Sequence, residues 1–152
     1  MEILMYFLKS FSEMDKQRKQ DELAKLDSIE EIREQLRVAV ESGDERSESV
    51  YLIKLGNIYA ENAEFSLSDT MHRQALAITR DISDPYLEIV ALANLGLSFK
   101  KRLEYSQAYT YYQKALYLAR KTNDRNFEGE ILKLMDELEK MLKLDGTAGA
   151  NT

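Results

Sequence analysis

The chain contains no cysteine and no tryptophan, a single proline and a single histidine, and six glycines in 152 residues. Without cysteine there can be no disulfide and no thiolate metal site. With so little proline and glycine, and with Leu, Ala, Glu and Lys abundant, the composition favours helix over sheet. Long apolar runs are also missing. The longest, Ile3 to Leu8, is far too short to span a bilayer. The N-terminus has neither a basic lead nor a small-residue cleavage site, so no secretory signal is expected. A reducing, cytoplasmic setting fits these absences. Acidic residues outnumber basic ones, 27 to 21, for a formal net charge of -6. A surface of that sign does not attract phosphate backbones, so nucleic acid is not an expected partner.

What the chain does contain is a repeat. Residues 45–84 and 85–124 are two copies of one unit. Leu55-Gly56 recurs as Leu95-Gly96, Tyr59 as Phe99, Phe65 as Tyr105, and Ala75-Leu76 as Ala115-Leu116. Asp44, Asp84 and Asp124 are equally spaced, and Glu48, Glu88 and Glu128 each follow by four. A period of about 40 residues signals stacked supersecondary units. Each aspartate stands where it can cap a helix, and Pro85 occupies a first helical position. Within a unit, Leu52, Leu55 and Tyr59 have helical spacing, a break follows at 62–64, and Met71, Ala75 and Ile78 resume it. Each unit therefore reads as helix, tight turn, helix.

The flanks are partial copies. The run Ile29, Ile32, Leu36, Ala39 looks like the second helix of a degenerate first unit. Ile131, Met135 and Leu138 sit where a third unit would begin, and a terminal helix there would cap the last apolar face. The expected layout is an N-terminal apolar helical segment over 1–27, a repeat domain over 28–143 with its cap at 125–143, and a flexible tail over 144–152. The fold is expected to be all-α, a solenoid of stacked antiparallel helix pairs with about seven helices.

These residues resemble the tetratricopeptide repeat, whose usual unit is about 34 residues. Leu52, Leu55, Gly56, Tyr59 and Ala75 carry the resemblance in one copy. Leu92, Leu95, Gly96, Phe99, Ala108, Tyr112 and Ala115 carry it in the other. The longer unit and the Asp-x-x-x-Glu entry are similar to the subtype of Pins-type scaffolds, kinesin light chains and Rap-type regulators. Ser68 and His72 depart from the pattern, standing where the second copy has Ala108 and Tyr112, and imply looser packing in the first unit.

The resemblance implies a concave groove lined by the first helix of each unit. Its positions here are Lys54, Asn57 and Glu61, then Val90, Asn94, Leu97 and Lys101, then Lys133 and Glu137. Asn57 and Asn94 stand out, because an amide donates and accepts at once and can hold a ligand backbone. Chaperone-binding members join two such asparagines to basic residues that clamp a terminal carboxylate. Here Ile53, Glu130 and Leu134 occupy the basic positions, so that clamp is not expected. Both asparagines also fit an ordinary solvated helix face.

Near the N-terminus, Ile3, Leu4, Phe7, Leu8 and Phe11, with Met14, form an apolar stripe at helical spacing. The segment either folds back as the first unit's missing helix or caps the stack end, or it protrudes and pairs with another chain, giving a homodimer or a docking site. His72 is expected to be a packed ring rather than a ligand or base. Tyr105, Tyr109 and Tyr112 are expected to pack with their hydroxyls at the rim, and Lys100 to Arg102 to form a solvated helix end. No catalytic motif stands out, and neither a cofactor nor a metal is expected. The function expected is a non-catalytic interaction module with a protein or peptide partner in its groove, or alternatively a self-associating scaffold.

Overall fold

The computed structural model describes the backbone of residues 2–148 and the side chains of 13–144 except Lys25 and Asp27. It is helical throughout, with six helices joined by short turns: α1 (Glu2–Ser42), α2 (Glu45–Glu61), α3 (Phe65–Asp81), α4 (Pro85–Lys101), α5 (Tyr105–Lys121) and α6 (Arg125–Ala148).

The turns explain the period. Helices α2 to α5 each have 17 residues, and three-residue links separate them. Each link closes alike: the last link residue donates its N–H to a carbonyl five residues back, as in Glu64 to Tyr59, Asp84 to Thr79, Glu104 to Phe99 and Asp124 to Ala119. This satisfies carbonyls that a helix C-terminus leaves free. The middle residue of each link, Ala63, Ser83, Leu103 or Asn123, has positive φ. Glycine fills that role only at Gly43, between α1 and α2. The expected aspartate caps are in place. Asp44, Asp84 and Asp124 accept from the backbone N–H of Ser47, Leu87 and Phe127 at 3.0, 3.0 and 3.1 Å.

Successive helices pack as antiparallel neighbours. In addition α2 touches α4 and α4 touches α6, whereas α3 and α5 do not approach one another. The stack therefore has an inner face built from α2, α4 and α6. Between the layers small residues meet large ones. Ala75, Ala108, Ala115 and Ala119 are fully buried, and Leu95, Ile131 and Leu138 fill the space beside them. Ile131, Met135 and Leu138 of α6 close the last unit, as expected of a cap. That helix continues to Ala148, through the first part of the segment expected to be a tail.

The first helix corrects the fold-back reading. Residues 2–27 do not return against 28–42, because α1 is continuous from Glu2 to Ser42. The physical reason lies in the residue types. Forty residues before Leu52, Leu55, Gly56 and Tyr59 stand Ser12, Asp15, Lys16 and Lys19, and folding back in register would bury charges. Asp15 also pairs with Arg18 at 2.6 Å and Lys19 at 3.1 Å, which supports the helix locally. From Glu13 to Leu26 no described side chain is buried. The side chains of Ile3, Leu4, Phe7, Leu8 and Phe11 lie outside the described ones.

The basic run at the end of α4 is not a solvated terminus. Its three residues reach three different helices: Lys100 to Glu137 on α6 at 3.0 Å, Lys101 to Glu61 on α2 at 2.6 Å, and Arg102 to both carboxylate oxygens of Asp69 on α3 at 2.9 Å. The Arg102 guanidinium also lies 4.1 Å from the Phe99 ring centroid. Arg102 and Asp69 are only 18% and 20% exposed. Removing one member of a buried pair strands the other, but partial exposure reduces the cost. Arg102→Ala is expected to lower stability by about 2 kcal/mol in urea unfolding, and Lys101→Ala by less than about 1 kcal/mol, since its pair is more exposed.

Candidate peptide-binding groove

The groove positions sit on the inner face but do not form one site. Asn57 and Glu61 of α2 and Asn94, Leu97 and Lys101 of α4 line one recess of about 140 Å³, together with Ala60 and Ser98. The Glu61–Lys101 ion pair belongs to its wall. Lys54 and Val90 line a separate and wider hollow of about 540 Å³ over Val50, Ile53 and Leu87, with Arg46 and Tyr86 at its edge. Lys133 and Glu137 on α6 line neither. Both are exposed, and Glu137 is joined to α4 through Lys100. Of the positions where a carboxylate clamp would need cations, Ile53 is buried, Leu134 is half-buried and Glu130 is exposed. A further hollow of about 550 Å³ lies on the outer side, over Leu92 and Leu118 and near Arg80, Lys114 and Lys121.

Beneath the recess is a polar network that the sequence did not announce. His72 is fully buried, and its Nε2 lies 2.9 Å from Asn57 Oδ1. Its Nδ1 faces Ser68 Oγ at 3.4 Å, and Ser68 Oγ meets Ser98 Oγ at 3.2 Å. Ser68 and Ser98 are also fully buried. The first unit is therefore not loose where it departs from the repeat pattern, since hydrogen bonds replace apolar contact there. Burial, partly offset by the Ile53 carbonyl and the Asp69 charge, pulls the imidazole pKa down to about 4. The ring is therefore neutral at neutral pH.

In the second unit Tyr112 takes the place of His72 and Leu97 the place of Asn57. The Tyr112 ring is fully buried, and its hydroxyl has no hydrogen-bond partner among the described residues. This corrects the expectation of a hydroxyl at the rim. Leucine cannot accept where asparagine would. Burial, with the Glu137 charge, pushes the phenol up to about 12. Asn94 is held by its own helix, donating Nδ2–H to the Val90 carbonyl at 2.8 Å.

The exposed ring of Tyr86 was not singled out by sequence. It packs edge-on against Phe127, with centroids 4.9 Å apart, and borders the wider hollow. The repeat hides it, because its counterparts are Arg46 and Asn126.

The tetratricopeptide repeat matches residues 91–125, from within α4 through α5. No curated protein matches the chain. The match and the stacked helix pairs together support a tetratricopeptide-repeat protein. Repeats of this family generally mediate protein–protein interactions and are typically non-catalytic. Among the described residues no helix is long and apolar enough to cross a membrane.

Proposed function

We propose that the protein is a non-catalytic interaction module that binds an extended peptide or protein segment along its inner face. The observation that carries this is the recess between α2 and α4, where Asn57, Asn94, Glu61 and Lys101 converge beside the half-buried Leu97. Packed helices set its shape before any ligand arrives, so little ordering entropy opposes binding. Polar groups would fix the ligand backbone, and Val90 and Leu97 would bury apolar side chains. The 20-residue spacing of the turns fits the long-repeat subtype of Pins-type scaffolds and kinesin light chains. A cytoplasmic location fits the absence of cysteine.

A pull-down from a proteome, with Asn57→Ala/Asn94→Ala run beside wild type, tests this reading. The double variant is expected to lose at least about tenfold in affinity for the captured segment. It should lose only about 1 kcal/mol of stability, from the hydrogen bonds to His72 and Val90. Equal affinity in both proteins would remove the groove from consideration.

A second reading is self-association through α1. What favours it is the unbroken helix that carries residues 13–24 clear of the stack, with the apolar stripe of Ile3, Leu4, Phe7, Leu8 and Phe11 beyond them in sequence. Sedimentation over a concentration range, with and without residues 1–14, is the measurement. The full chain is expected to gain mass with concentration and the shortened chain to stay monomeric. Two stable monomers would end the idea.

A further inference from the structure

Asn57 and Asn94 share a recess but are held by opposite ends of their amides. The Val90 carbonyl can only accept, so the Asn94 atom 2.8 Å away is its nitrogen. Asn94 Oδ1 makes no hydrogen bond among the described residues. Asn57 is held the other way. The ring nitrogen of His72 that faces α2 is Nε2, since a Cβ on Gly56 would lie 2.5 Å from it. The group that meets Nε2 from α2 is the amide oxygen of Asn57, at 2.9 Å, and the Ile53 carbonyl favours a protonated ring. A carbonyl cannot donate, so the proton is on Nε2. Nδ1 is then bare and accepts from Ser68, which in turn accepts from Ser98. The Asn57 oxygen is thus spent inward, and its Nδ2 makes no hydrogen bond among the described residues.

We propose that His72 is a positioning residue that makes this recess selective for an amide group over a carboxylate. This rests on the inner-face reading above. Asn57 donates to the ligand's carbonyl, and Asn94 accepts from its N–H. A peptide unit, or the carboxamide of a glutamine or asparagine, carries both partners. A carboxylate carries only acceptors. One of its oxygens would meet Asn94 Oδ1, and Lys101 in the same wall is already paired with Glu61. A recess of about 140 Å³ is on the scale of one small polar group rather than a large side chain. Burial of His72 keeps Nδ1 bare at neutral pH, so Ser68 is free to donate to it.

The test uses the ¹⁵N-labelled full chain with two probes, N-methylacetamide and acetate, at matched ionic strength. Long-range ¹⁵N–¹H spectra of His72 are expected to show a protonated Nε2 and a bare Nδ1. A protonated Nδ1 would overturn the proposal, and this measurement needs no substitution. N-methylacetamide is expected to shift the side-chain amide signals of Asn57 and Asn94 and to bind at least about fivefold tighter than acetate. In His72→Phe that preference is expected to fall below about twofold. The phenyl ring fits over Gly56 as Tyr112 fits over Gly96. His72→Gln, which keeps a donor toward Asn57, is expected to restore the preference. If acetate matches the amide in wild type, or His72→Phe keeps the preference, the role of His72 falls while the groove stands. If neither probe moves either asparagine, both readings fall together.

Discussion

Gly96→Ala is expected to destabilise the protein by about 3 kcal/mol, while Gly129→Ala is expected to stabilise it by about 0.5 to 1 kcal/mol. Both sites are helical, and on an exposed helix alanine beats glycine by up to about 1 kcal/mol. The neighbours decide the sign. A Cβ on Gly129 meets nothing within 4 Å. A Cβ on Gly96 would press into Cε1 of Tyr112 and lie 2.6 Å from its Cδ1. That ring is fully buried and cannot swing into solvent, so either the ring or the helix spacing must give. Overpacking of this kind costs more than the helix propensity returns. Gly56→Ala meets the His72 ring in the same way, at 2.5 Å from Nε2 and Cδ2. Denaturant unfolding of the three variants checks the argument. The double change Gly96→Ala/Tyr112→Ala should cost less than the sum of its parts, because the clash is shared. Additive losses would mean that the close approach of α4 and α5 does not hinge on this contact.

This pairing of a glycine with a facing ring is also why so much of the fold was legible. The recurrence of Leu-Gly, then a large residue, then Ala-Leu at a fixed interval encodes helix pairs in close contact. The aspartate caps, the turns at 62–64 and 102–104, and the capping role of Ile131, Met135 and Leu138 all followed from it. What the pattern could not show was anything absent from one copy. His72 and Ser68 looked like defects against Tyr112 and Ala108, yet they bond to Asn57 and Ser98, and the bond partners lie 15 and 30 residues away. Spacing along a helix does not reveal such partners. The same holds for Lys100, Lys101 and Arg102, whose carboxylates lie 37, 40 and 33 residues distant. Folding back in register would have required a turn near residue 23, forty residues before the link at 62–64. Local chemistry overrode the period there: charged side chains would have entered the core. The period supplied the candidate groove positions. The groove's division into a narrow polar recess and a wider apolar hollow depends on side-chain packing that no spacing rule contains.

The buried imidazole makes acid stability the second large effect. His72 is the only histidine, so it is the only side chain whose ordinary pKa lies between 5 and 8. In the folded protein burial lowers that pKa from 6.5 to about 4. Between these values the unfolded chain holds a proton on His72 that the folded chain does not. Stability therefore rises with pH through the window and is lost as pH falls from about 6.5 towards 4. The shift corresponds to about 3 kcal/mol in all, with a slope of at most about 1.4 kcal/mol per pH unit. The charged groups near the ring modulate this only slightly. Asp69 favours the protonated form, but its carboxylate is engaged by Arg102. The upper half of the window, roughly pH 5 to 6.5, isolates the imidazole, because ordinary carboxylates titrate lower. Urea unfolding at intervals of half a pH unit should give a falling stability there in wild type and a nearly flat one in His72→Phe. The comparison is of slopes, since the variant also leaves Asn57 Oδ1 without its partner and Ser68 with Ser98 alone, and starts from a lower stability. A wild-type profile that stays level down to pH 5 would mean that the folded protein protonates His72 as readily as the unfolded chain does, and that the ring is not sealed between α2 and α3.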